Sequence, residues 1–269
     1  YGRLTEVLQG QLLYLAGRLL YLLSIANNYD LVVVIGDVIP VIAAWLTRLP
    51  VVTYLVAYSS HYEGKLNLPW PCAKLLSSKR FLSIYTRDQL TAEDLRAQLL
   101  RNVDFLGNPF MDPVLIEQTS LPSCHSRLGI LPGSRRPELD DNLLLILSLI
   151  ELIPETQLAR TKISFDMALV PALDDMALKY LATLKDWDFC ASFDKDSSVQ
   201  LVQNQYKINI HRESFVKVLQ SSDVLLCMAG TATEQAAGLG KPILQLPGNG
   251  PQFTASFAEA QRRLLGPTI

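Results

Sequence analysis

The stretch SDVLLCMAGTATEQAAGLGKPILQLPG (222–248) decides the fold. An apolar run, Val224–Cys227, gives way to Met228-Ala229-Gly230-Thr231-Ala232, where small residues open a helix. That helix runs to Gly238 or Gly240, and Pro242 starts a second apolar run ending near Leu246. Strand, helix and strand at this spacing make a βαβ unit of a parallel sheet. Gly230, Thr231 and Ala232 sit where the open amides and hydroxyl of a helix start would receive a pyrophosphate. Glu234 and Gln235, one turn in, are placed to reach a ribose. Beyond the second strand, Pro247, Gly248, Gly250 and Pro251 hold an irregular loop around Asn249 and Gln252, neutral groups of the kind that select sugar hydroxyls.

The same alternation extends upstream. LGILPGSRRPE (128–138) is a strand turning into a helix, with Gly133 permitting close backbone approach, Ser134 able to donate and Arg135 able to grip phosphate oxygens. Further strands are expected near 163–169, 187–190 and 206–210, and helices near 137–153, 172–184, 212–220 and 254–265. Before Pro113 lies an earlier series. It has a helix over 4–26, strands at DLVVVIGD (30–37), 51–56 and FLSIYT (81–86), helices over 38–47 and 87–100, and NVDFLGNPF (102–110) opening into a loop. The continuous apolar run 30–37 reads as a strand buried on both faces. QTSLPSCHS (118–126) reads as a linker, so the chain divides into domains 1–112 and 113–269. Two doubly wound, Rossmann-like domains facing a cleft are the expected α/β architecture. Ligands of such sheets bind beyond the carboxyl ends of the strands.

Composition narrows the function. The chain has 269 residues, 49% of them apolar, which supports a full core without staples. Its 24 basic and 26 acidic residues leave a net charge of −2, so no global field draws nucleic acid, and none is expected as a partner. Cys72, Cys124, Cys190 and Cys227 are scattered, as are His61, His125 and His211, and neither set has metal-ligand spacing. Asp194-Lys195-Asp196 spells DxD but lies among serines and reads as a solvated loop. Neither 4–25 nor 31–49 is continuously apolar enough to span a membrane. No GxxxxGK[ST] or GxGxxG follows a strand, which removes the usual support for ATPase and dehydrogenase readings.

Three blocks, FLGNPFMD (105–112), LGILPGSRRPE (128–138) and DVLLCMAGTATEQAAGLGKP (223–242), resemble the GT-B glycosyltransferases of the lipid-A-disaccharide synthase type. A more distant similarity is to the GlcNAc transferase that forms lipid II. AGTATEQ, GLGKP and GPQFT…FAEAQ are similar to a synthase-related subgroup of unsettled function. The resemblance implies a GT-B fold and an inverting, metal-independent transfer of a GlcNAc-type sugar from a UDP-sugar to a lipid-linked or acylated-sugar acceptor. The UDP-sugar would be a co-substrate, with no further cofactor. Gly133, Ser134 and Arg135 would lie near the pyrophosphate, with Gly230, Thr231 and Ala232 at the phosphate-binding helix. The family's ribose-binding Glu falls on Gln235, a departure that leaves either Gln235 or the neighbouring Glu234 for the ribose. The Gly-rich first turn of the family is not found before Tyr1, nor its closing helices after Ile269. The resemblance therefore implies an incomplete first domain.

Inversion wants a base near the acceptor hydroxyl. Asp37, ending the 30–37 strand, is the first candidate, although Asp there also suits a helix cap. His61, in YSSHYEG, is the second. Asn108 would shape the interdomain wall. A cytoplasmic protein is expected, with peripheral contact at the inner face of a membrane through the 4–26 helix; core packing explains that helix's stripe as well. Two rivals are a UDP-sugar epimerase of the same fold and a non-catalytic UDP-sugar or lipid-binding module.

Overall fold

The computed structural model describes residues 10–36, 38–56, 58–60, 65–115, 126–191, 199–248 and Glu259. The chain forms two units, Tyr1–Asn108 and Pro109–Ile269, each an α/β sandwich in its own right. The sequence reading drew this division a few residues later, after Asp112.

In the first unit the order is α1 (Gln11–Ile25), β1 (Val32–Ile35), α2 (Val38–Leu46), β2 (Val51–Leu55), α3 (Cys72–Leu76), β3 (Phe81–Thr86), α4 (Gln89–Leu99) and β4 (Asp104–Phe105). The strands lie side by side in chain order, β1-β2-β3-β4, all parallel. Local chemistry sets the boundaries. Asp88 caps α4 by accepting from the Thr91 amide at 2.7 Å. Leu100 ends it in the left-handed region at φ 51°. Arg101 then fastens the end of α3 to the start of β3 through the Leu76, Ser78 and Phe81 carbonyls.

The core of this unit lies on one face of its sheet. Val34, Val51, Leu55, Phe81 and Ile84 pack with Val41, Ala44, Leu76, Ala92 and Leu95 from the helices. The opposite face is open, with Val33 63% and Ile35 73% exposed. The expectation that 30–37 is buried on both faces is thus corrected: only Val34 of β1 is buried. α2, α3 and α4 all feed the cluster on Val34's side, and no described helix covers the other. None of the described side chains of α1 is buried either: Leu12, Leu13, Leu15, Leu20 and Leu23 are exposed and Leu19 and Leu22 half-buried.

The second unit runs α5 (Asp112–Leu115), β5 (Ser126–Leu131), α6 (Glu138–Ile150), α7 (Glu155–Thr161), β6 (Ile163–Ala168), α8 (Asp175–Thr183), β7 (Asp188–Ala191), β8 (Val199–Gln203), β9 (Tyr206–His211), α9 (Phe215–Ser221), β10 (Val224–Cys227), α10 (Gly230–Gly238) and β11 (Ile243–Gln245). Its strand order is β11-β10-β5-β6-β9-β8-β7. Both faces are buried. Ile130, Phe165, Met167, Ile208 and Leu226 meet α6 and α8 on one side. Leu131, Leu225 and Cys227 meet α9 and α10 on the other. Adjacent residues of β5 and β10 therefore point into different cores, which is why these strands read as unbroken apolar runs.

Two elements depart from the expected parallel alternation. β8 pairs antiparallel with both β7 and β9, so the sheet ends in a meander. α7 is an extra short helix before β6. The expected linker falls almost wholly, and the helix over 254–265 mostly, outside the described residues, as does Asp194-Lys195-Asp196. Among the described residues no single helix is long and apolar enough to cross a membrane.

Candidate functional site

In the second unit the chain passes from β5 to β6 in one direction and later returns to place β10 on the other side of β5. This reversal opens a crevice at the carboxyl ends of β5 and β10, the position where open α/β sheets take ligands. A cavity of ≈ 310 Å³ lies there. Its walls are the β5–α6 loop (Gly133, Ser134, Arg135), the start of α10 (Ala229, Gly230, Thr231, Ala232), and Ala168, Val170 and Phe215 beyond β6 and β9.

The loop has this shape because of Gly133. Its φ is 111°, and a Cβ there would stand 2.9 Å from the Met228 carbonyl. A side chain would both strain the backbone and push the two loops apart. Asn142, one turn into α6 and 1% exposed, donates from Nδ2 to the Pro132 carbonyl at 2.8 Å, which fixes the loop from below. Its Oδ1 is buried at the cavity wall with no hydrogen-bond partner.

The two helix starts that flank the cavity differ in charge. α6 carries Glu138, Asp140 and Asp141 in its first turn. Arg136 is already committed to one of them, bonding Asp140 at 2.9 and 2.7 Å. That ion pair raises the guanidinium pKa above its usual value: the hydrogen bond to Asp140 comes first, then its charge. α10 has no acidic residue in its first turn, and Ala229 at its N-cap makes no side-chain capping bond. The first amides of any helix have no intrahelical acceptor, so Thr231 and Ala232 present theirs outward. The Arg135 carbonyl accepts from the Leu139 amide at 2.8 Å, while its exposed guanidinium makes no hydrogen bond or ion pair among the described residues. A guanidinium with no side-chain partner among the described residues thus shares the cavity with a helix start that carries no carboxylate.

The same sheet holds a buried polar cluster. Asp166 on β6 accepts from Arg127 at 2.6 Å, Ser164 at 2.8 Å and Asn209 at 3.1 Å, and pairs with His211 at 2.8 Å. Burial pushes the Asp166 carboxyl up, but the bonds from His211 and Ser164, the Arg127 charge and the Asn209 bond outweigh it and hold its pKa below the ordinary value. This cluster joins β5, β6 and β9. Cys227, at the end of β10, has its thiol pushed up to about 12 by burial, so it is no nucleophile. Among the described residues no group of three His, Cys, Asp or Glu side chains is placed to hold a metal ion.

Of the residues singled out in the sequence, Gly133, Ser134, Arg135, Gly230, Thr231, Ala232 and Gln235 meet at this cavity. Glu234, the other ribose candidate, does not line it, and Asn108 belongs to the first unit. Asp37, His61, Asn249 and Gln252 lie outside the described residues. The sequence reading missed Glu138, Asn142, Ala168, Val170 and Phe215. Asn142 left a signal: it is a polar residue within the buried stripe Leu139, Leu143, Ile146 of α6.

Fold and crevice together define a two-unit α/β protein of the GT-B type. No family model and no curated protein matches the sequence. Among solved structures, the UDP-GlcNAc 2-epimerase of Methanocaldococcus jannaschii is similar in fold, with a TM-score of 0.50 at 15% identity, over 88% of this chain and 67% of that one. A putative UDP-N-acetylglucosamine 2-epimerase of Listeria monocytogenes aligns at TM-score 0.49 and 15% identity, over 93% of this chain and 67% of that one. The Neisseria meningitidis UDP-GlcNAc 2-epimerase bound to UDP-GlcNAc aligns at 0.48 and 16%, over 94% and 70%. The chain spans about two thirds of the length of these proteins.

Proposed function

We propose that this protein is a UDP-sugar-using enzyme whose crevice in the second unit holds the nucleotide diphosphate. The observation that carries this reading is that the Arg135 guanidinium and the carboxylate-free start of α10 line one cavity. Oriented amides and a guanidinium stabilise the charge that grows on a departing diphosphate, a role that needs no metal. The motif resemblance favours transfer of a GlcNAc-type sugar to a lipid-linked or acylated-sugar acceptor, with peripheral membrane contact. Asp37 and His61 are the candidate bases of that reaction.

A second reading, epimerisation of a UDP-sugar, is supported by the fold likeness to a UDP-GlcNAc 2-epimerase. Calorimetric titration with UDP and UDP-GlcNAc tests the shared part, and absence of any uridine nucleotide binding rejects both readings. Product analysis then separates them. An epimerase converts UDP-GlcNAc alone, whereas a transferase releases UDP only when an acceptor is added. Asp37→Asn with intact UDP affinity is expected to abolish transfer, and retained turnover eliminates that residue as the base.

A further inference from the structure

Gln235 touches two things at once. It lines the cavity, and its Nε2 donates to the Phe110 carbonyl at 2.7 Å. Phe110 belongs to Pro109–Leu115, the segment by which the chain enters the second unit. The rest of that segment is held nearby. A Cβ on Gly238 of α10 would fall 2.4 Å from the Met111 sulfur, Val114 is fully buried, and Gln220 donates to the Val114 carbonyl at 2.7 Å. Within the segment, the Asp112 amide bonds Pro109, and those of Val114 and Leu115 bond Met111. Gln235 Oε1 accepts no hydrogen bond among the described residues, while the side chain as a whole is 8% exposed.

A primary amide is a conjugated relay. A hydrogen bond accepted at its oxygen draws charge from the nitrogen and strengthens the bond its N–H donates, by roughly 10–30% per link. We propose that Gln235 is a positioning residue through which a ligand hydroxyl in the cavity tightens the entry segment, in the chain hydroxyl → Oε1, Nε2–H → O=C of Phe110. A carboxylate at this position could accept the hydroxyl, but it has no proton for Phe110 and would repel its carbonyl. The neutral amide is therefore what makes the relay, and the Glu-to-Gln departure acquires a reason. The inference rests on the proposal that the cavity holds a uridine diphosphate, whose ribose supplies the hydroxyl.

Amide hydrogen exchange at Asp112, Val114 and Leu115, read alongside calorimetry on the full chain, tests it. In the unaltered protein UDP is expected to slow exchange at these amides several-fold. Inorganic pyrophosphate, which has no hydroxyl, is expected to bind without slowing it. Gln235→Met keeps the shape and loses both bonds; UDP binding should persist, weakened, and the slowing should vanish. Gln235→Glu should speed exchange before any ligand is added and show no slowing afterwards. UDP binding that leaves exchange unchanged in the unaltered protein, or slowing that survives in Gln235→Met, overturns the relay alone. Failure of UDP to bind at all overturns the ligand reading, and the relay with it.

Discussion

α6 and α10 begin on either side of the same cavity, yet they solve the same electrostatic problem in opposite ways. A helix start presents unsatisfied amides and the positive end of its dipole. α6 answers with its own carboxylates, Glu138, Asp140 and Asp141. α10 has no carboxylate there: its opening residues are Gly230, Thr231 and Ala232, after an alanine whose side chain makes no capping bond. A helix that supplies its own anion has no need of a foreign one. Under the proposed function the contrast favours α10 over α6 as the place for the diphosphate, with Gly133 giving shape and Arg135 charge from the α6 side.

Four variants test that contrast. The largest effect comes from the buried cluster that joins β5, β6 and β9. Asp166→Ala takes away the carboxylate that Arg127 and His211 bond in the interior, and loss of a partner from a buried pair costs about 3–5 kcal/mol. Urea unfolding should register it, and an unchanged midpoint would mean that the cluster does not hold the strand ends. The same group predicts acid behaviour. Its folded pKa lies below the ordinary value, so its stabilisation is present above the unfolded carboxylate range and fades as pH falls through the folded value.

Next, Thr231→Asp makes α10 resemble α6. UDP affinity should fall by about a hundredfold through repulsion, while the helix gains roughly 0.3–1 kcal/mol from its new capping charge. Opposite signs in calorimetry and melting are the signature, and a loss of both would point to misfolding instead. Arg135→Ala should weaken UDP by about tenfold with a melting change within about 0.5 kcal/mol, the usual range for a surface position. Smallest of all, Glu138→Gln with Asp141→Asn should improve UDP binding a few-fold and cost α6 roughly 0.3–1 kcal/mol. No gain in affinity would break the comparison.

Much of this was legible in the residues, and the reasons for the rest are physical. β5, β10 and α10 were readable because strands buried on both faces are continuously apolar and their helices start at small residues. The loops that follow them contain Gly133, Arg135, Gly230 and Thr231, so half of the cavity could be drawn from local pattern. The other half depends on which strands become neighbours. Ala168, Val170 and Phe215 reach the site only because β6 lies beside β5 and β9 beside β6, an order that local pattern does not encode. β8 was missed because VQLVQ (199–203) is a short antiparallel return whose alternation resembles loop polarity. The run VVVI misled for the opposite reason: apolarity announces a place for packing partners without guaranteeing that they arrive.

That last point bears on how the protein behaves in a tube. Val33 and Ile35 stand exposed on one face of β1, a strand at the margin of its sheet. Apolar sheet margins recruit other chains, and nature usually blunts them with lysine, proline or a bulge. Here the stretch 31–35 carries none of these, and a net charge of −2 supplies little colloidal repulsion. Association through the first unit is therefore expected to start at Val33 and Ile35, far in sequence from the cavity of the second unit.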